Sequence, residues 1–196
     1  MKKMGIFLIA VVAIALAFCG NALAQLPPGD NSYYFVTYYS NNVSGAPDAT
    51  VRVINDGDTG YSLYAAIFVF DDSQEMQACG YCLITPDGLL SEDVKTQLTN
   101  NTLTGRVPSR GVIKIVSTPA EIGIGEYGTP GLRGWATHIE RATPTSGAYA
   151  TTEAALADSN LSESEASLLD ELCYYILDEL GSGQGTINCT TEDHDF

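Results

Sequence analysis

Basic residues are scarce in this sequence. Its 196 residues hold 9 Lys plus Arg against 24 Asp plus Glu, a formal net charge of −15. A nucleic acid or an anionic membrane needs cations facing its phosphates, so the charge argues against both as partners. Histidine is nearly as rare: His138 lies in the body of the chain and His194 in an acidic tail. No serine stands in a G-x-S-x-G elbow, so a Ser-His-Asp hydrolase would have to be assembled around His138 without local support. A partly buried strand histidine is the simpler reading. No second C-x-x-C accompanies Cys79–Cys82, which takes away the pattern of a four-cysteine zinc site. The apolar run Ile6–Phe18 is shorter than the ~20 residues a membrane-spanning helix needs. Hydrophobic residues nevertheless make up 45% of the chain and charged ones only 17%, too apolar a balance for a disordered protein.

What is present begins with an export signal. Lys2 and Lys3 precede the apolar run, and Ala22-Leu23-Ala24 offers a small-x-small cleavage pattern ahead of Gln25. The expected organisation is a signal peptide at 1–24 cut between Ala24 and Gln25, and a linker at 25–31. One domain follows at 32–196, with no membrane span in the mature chain. A lipoprotein signal at Cys19 is disfavoured by the bulky Phe18, and a pilin-type leader by the lack of an acidic residue near the start of the apolar helix.

Export places the remaining cysteines, Cys79, Cys82, Cys173 and Cys189, in an oxidising compartment, where four cysteines read as two disulfides with three possible pairings. Proximity along the chain favours Cys79–Cys82 with Cys173–Cys189; the other pairings would tie the C-terminal helix to the body. A redox centre at Cys79-Gly80-Tyr81-Cys82 would require a helix to start there and lower a thiol pKa. The following Leu83–Gly88 reads instead as an extended piece and a turn.

Strand signals recur at short spacing. Tyr33–Tyr39 is crowded with aromatic and β-branched residues, Thr50–Ile54 alternates, and Val112–Val116 is apolar and β-branched. Tyr61–Phe70 is apolar on both faces, which predicts a central strand with material packed on each side. Gln74–Ala78, Leu132–Ile139 (with the single tryptophan, Trp135) and Ala148–Ala155 are further strands, while Leu89–Leu98 fits strand or helix. The fold class these spacings predict is mainly β: a β-sandwich of Ig-like architecture without the Ig cysteine and tryptophan signature. The ending differs. Ser162 with Glu165 forms a capping box, Leu161 and Ala166 a hydrophobic staple, and Leu169, Cys173, Ile176 and Leu180 recur at helical spacing before Gly181. These residues predict one amphipathic helix over about 163–180.

Candidate chemistry is thin. Gly123–Gly128 matches G-x-G-x-x-G, but Thr129-Pro130-Gly131 forbids the helix a dinucleotide site requires, and Glu126 would repel phosphate. Gly181–Gly185 lacks the Lys of a phosphate-binding loop and follows a helix. Asp56 and Asp58, joined by Asp71, Asp72 and Glu75 if the hairpins lie together, are weak candidates for calcium, and no EF-hand register fits them. Glycoside hydrolysis needs two carboxylates in a cleft, and an acidic sequence names no pair.

Several of these stretches together resemble uncharacterised exported β-rich proteins of soil-type bacteria. The likeness rests on V-x-V-x-N-x-G at Val51–Gly57, F-x-x-x-Q-x-x-x-x-C-x-x-C at Phe70–Cys82, and V-I-K-I-V at Val112–Val116. It continues with L-S-x-x-E at Leu161–Glu165, the helix cysteine Cys173, and the G-S-G-x-G tail at Gly181–Gly185. The resemblance implies one exported domain and carries over no catalytic residue. The expectation is therefore a secreted or cell-surface interaction domain without enzymatic activity and without a cofactor, its partner an extracellular protein or polysaccharide. A secreted carboxylate-dependent glycoside hydrolase is the first alternative, and an extracytoplasmic thiol–disulfide protein using Cys79 and Cys82 the second.

Overall fold

A computed structural model describes residues 33–119, 123, 128–141 and 147–189. The proposed leader with its Ala24–Gln25 junction, the linker, most of the 123–128 loop, and the tail beyond Cys189 lie outside the described residues. Among the described residues nine strands are formed: β1 (Tyr34–Tyr39), β2 (Thr50–Asn55), β3 (Leu63–Asp71), β4 (Met76–Ile84), β5 (Leu89–Asp93), β6 (Gly111–Thr118), β7 (Leu132–Arg141), β8 (Tyr149–Ala155) and β9 (Ala157–Asp158). They make two antiparallel sheets, ordered β4-β3-β6-β1-β9 and β5-β2-β7-β8, consistent with the expected mainly-β sandwich. Helix α1 (Glu163–Tyr174) continues as a π-helical turn over Tyr175–Glu179.

The two-faced apolar pattern of β3 has the predicted consequence. Leu63, Ala65, Ile67 and Val69 enter the core between the sheets, where they meet Val51, Val53, Ile115 and Leu132. Ala66, Phe68 and Phe70 point the other way, into a second core with Tyr34, Val116, Leu169 and Ile176. Strand alternation separates the two sets, so the molecule has three layers: sheet, sheet and helix. Burying a Leu, Ile or Phe side chain fully contributes about 1.5–3 kcal/mol, and β3 does so on both of its faces.

The ambiguous stretch at Leu89–Leu98 is strand and then helical turn. β5 alternates exposed and buried side chains, with Leu90 and Glu92 inward. The chain then coils over Val94–Leu98, which buries Val94 and Leu98. Asp48 Oδ1 accepts the Lys95 amide at 2.9 Å and so fixes the start of that turn. The turn after β2 is clamped by buried Asn55, whose Nδ2 donates to the carbonyls of Tyr61 and Ile84, both at 3.0 Å.

At the head of α1, Ser162 Oγ accepts the Glu165 amide at 3.2 Å, as an N-cap should. The reciprocal half of the capping box is replaced by a tertiary contact: the Glu165 carboxylate accepts from Lys114 of β6 and from the Tyr34 hydroxyl. Gly181, at φ +60°, ends the helical segment. The chain then runs back along β4 as a strap. Cys79 N–H donates to Gly185 O, and Ile187 N–H donates to Cys79 O, in parallel register. Gly80 makes this approach possible, because a Cβ there would lie 2.7 Å from the Ile187 carbonyl oxygen.

The disulfides correct the expected pairing. Cys79 is bonded to Cys173 of α1, and Cys82 to Cys189 of the strap. Local pairing fails for a simple reason. The C-x-x-C lies inside β4, where residues three apart face opposite sides of the sheet, and Cys79 sits in the helix-side core while Cys82 sits in the inter-sheet core.

Candidate functional site

The structure uses most of the chemically suggestive residues for other purposes. Cys79 and Cys82 are fully buried and diverge from one strand, so they do not form the dithiol pair of a redox centre. Asp56 Oδ1 accepts the Asp58 amide at 3.2 Å within its turn, and Asp56 Oδ2 pairs with Arg133 Nε at 3.3 Å. Asp71 Oδ1 accepts the amides of Ser73 and Glu75, and its Oδ2 accepts from Gln77, which shapes the β3–β4 turn. Asp72 pairs with Arg110 at 2.8 Å. No group of three or more His, Cys, Asp or Glu placed to hold a metal occurs among the described residues. A polar cavity of about 430 Å³ lies beside the β3–β4 turn, with Asp71, Asp72, Glu75 and Arg106 in its wall.

Beneath the helix, tyrosines join the layers. Burial, reinforced by the charge of Glu165, raises the Tyr34 hydroxyl to about 12. Burial and Asp170, which accepts the Tyr81 hydroxyl at 3.3 Å, raise Tyr81 to about 12. Tyr39 is driven higher still by burial and by Asp71, and donates to the Phe70 carbonyl at 3.1 Å. These groups are protonated struts holding helix to sheet and strand to strand.

His138, half-buried, is stacked on Tyr38 with ring centroids 4.3 Å apart and planes 16° from parallel. The Tyr38 hydroxyl reaches Glu140 at 3.4 Å. The pair bridges β1 of one sheet and β7 of the other.

The two outer faces of the sandwich differ. That of the first sheet is covered by α1. Over that of the second sheet, no helix or strand of the described residues is layered. Cross-strand neighbours share a face, and here Arg52 of β2 is registered with Ser91 of β5 and Trp135 of β7, and Ile54 with Leu89 and Arg133. Trp135 is 37% exposed and Leu89 55%. Arg52 pairs with Glu153 at 3.0 Å across the same face. The sequence had shown Trp135 only as a strand residue. Its polar surroundings at alternate positions (Arg133, Thr137) were the available signal that this face meets solvent.

No family model, no curated protein and no solved structure matches this chain.

The two disulfide bonds fit an oxidising environment. Among the described residues no helix is long and apolar enough to cross a membrane.

Proposed function

We propose that this chain is an exported, non-enzymatic interaction domain whose contact surface is the uncovered face of its second sheet. The reading is carried by the asymmetry between the two outer faces. One is sealed by a helix bonded to the body through Cys79–Cys173; the other leaves Trp135, Leu89 and Ile54 beside Arg52 and Arg133. Aromatic and Arg side chains are the groups that most often anchor a partner. Here they form a shallow surface suited to lying against a polysaccharide or the face of another protein outside the cell. The leader at 1–24 supplies the route, with Gln25 the first residue of the exported form.

Trp135 is the only tryptophan in the chain, so it reports on this surface alone. Its emission should shift to the blue, and its quenching by iodide should fall, when the polysaccharide or protein fraction of the host's exterior that carries the partner is added. If every fraction leaves the emission unchanged, or if Trp135→Ala binds the responding fraction as tightly as the parent, the surface has been misassigned. N-terminal sequencing of the exported protein checks the Gln25 start.

A further inference from the structure

Four strands end the two sheets, β4 and β9 in the first and β5 and β8 in the second, and three of these edges are guarded. The free edge of β4 is covered by the strap, through the hydrogen bonds of Cys79 with Gly185 and Ile187. β9 is two residues long, and β5 is five residues long with the Glu92 side chain turned inward and buried. Short strands and inward-pointing charges both keep a sheet edge from pairing with another chain. β8 has neither device. It runs for seven residues, pairs with β7 in an unbroken register, and contains no Lys and no Pro.

β8 is also open on both faces. Ala150 through Ala155 are all exposed, although their side chains alternate between the two sides of the sheet. The phase of the ladder tells which backbone groups face outward. Just past the end of β8, the Leu156 amide donates to Gly134 O. In an antiparallel ladder the groups of successive residues point to alternate sides. Ala150, Thr152 and Ala154 therefore bond to β7, while Thr151, Glu153 and Ala155 turn their N–H and C=O to the free edge. Among the described residues no strand lies beyond that edge.

We propose that β8 pairs with β8 of a second copy of this chain, antiparallel about Thr152, so that the two second sheets become one sheet of eight strands. The strand itself selects this partner and this register. Its outward groups stand at odd-numbered positions, so the two-fold axis must pass beside a residue. Centring on Glu153 would set two carboxylates directly opposite each other, which is destabilising. Centring on Thr151 shortens the overlap. Centring on Thr152 sets Glu153 opposite Thr151 of the other copy, and Glu153 keeps Arg52 of its own sheet as counter-charge at 3.0 Å. The other paired positions carry Ala and Thr, which put no bulky or charged group in the way. This pairing does not rest on the role given to the sheet face, although it would bring Trp135 of both copies to one side of the joined sheet.

Sedimentation velocity and amide exchange on the purified, oxidised protein test the pairing. One strand pair lies at the weak end of protein interfaces, so the dimer should grow as concentration rises. Each copy carries a net charge of −15, so added salt should strengthen the dimer by screening the repulsion. Exchange at the Thr151 and Glu153 amides should slow as it forms. Thr151→Pro removes one outward N–H and spares the bonds to β7. Thr151→Glu leaves the backbone intact and sets a carboxylate opposite Glu153 of the other copy. Each should raise the dissociation constant about tenfold or more, while thermal unfolding shows the variants folded. A monomer at every concentration up to the solubility limit overturns the proposal. So does a dimer that salt dissolves, one that both substitutions leave intact, or one that forms without slowing exchange at Thr151 and Glu153.

Discussion

Cys79 and Cys82 stand three positions apart on β4, point to opposite faces of the sheet, and are bonded to two different parts of the C-terminal segment. One strand thereby anchors a helix on its outer side and a strap at its edge. The sequence separations are 94 and 107 residues. Cross-links closing loops of that size remove about 4–5 kcal/mol of unfolded-state freedom in the chain-entropy picture. Replacing Cys79 and Cys173 together by alanine should lower the free energy of unfolding by about 2–5 kcal/mol, read from urea transitions of oxidised protein. Peptide mapping without reductant should recover Cys79 linked to Cys173 and Cys82 to Cys189; a Cys79–Cys82 fragment would refute the arrangement.

Gly80 tests the strap separately from the helix. A side chain there meets the Ile187 carbonyl oxygen at 2.7 Å and Ile187 Cβ at 2.9 Å, and neither is the free end of a flexible group. Gly80→Ala should therefore destabilise the fold by about 1–3 kcal/mol through overpacking. Amide exchange should quicken at Cys79 and Ile187, whose N–H groups donate to the carbonyls of Gly185 and Cys79, while the amides of α1 keep their protection. Equal acceleration in helix and strap would show that the two do not anchor independently.

Ser162 should matter as a cap alone. Its side chain accepts one amide and is exposed, so Ser162→Ala should cost about 1 kcal/mol, within the ~0.5–2 kcal/mol usual for such caps. Ser162→Asp should restore the loss, since an acidic oxygen caps as well and favours the helix N-terminus. Thermal unfolding of the three proteins is the measurement. No recovery in the aspartate variant would point to a role outside capping.

High pH should loosen the layers. Free tyrosine ionises near ~10, whereas Tyr34 and Tyr81 are raised to about 12 and Tyr39 further. The folded state thus holds these protons more tightly than the unfolded one. Their contribution is whole below pH ~10 and is lost as the pH climbs through the folded values. In a phenolate absorbance titration, three of the 11 tyrosines should ionise late and together with unfolding. Early, reversible ionisation of all 11 would contradict the strut role given to these three.

Much of the architecture was readable where local pattern and tertiary role agree. The double apolar face of Tyr61–Phe70 announced a central strand, and Ser162, Leu169, Cys173 and Gly181 announced a capped helix with one buried stripe. The pattern misled where tertiary partners decide. Glu165 reads as half of a capping box, yet Lys114 and Tyr34 offer its carboxylate partners from another layer. Cys79 and Cys82 read as a local pair because their spacing is short, and only continuation of β4 to Ile84 sends them apart. The two-residue β9 carries no period of its own and exists through its pairing with Phe35 and Val36.

The strap has a bearing on how the molecule is born. β4 is made early, yet the residues that cover its free edge, Gly185 to Cys189, leave the ribosome about a hundred positions later. Until then Cys79 lacks its backbone partners in the strap, and Cys82 lacks its disulfide partner. Closing of that edge and of the second disulfide therefore waits for the last part of the chain to be made.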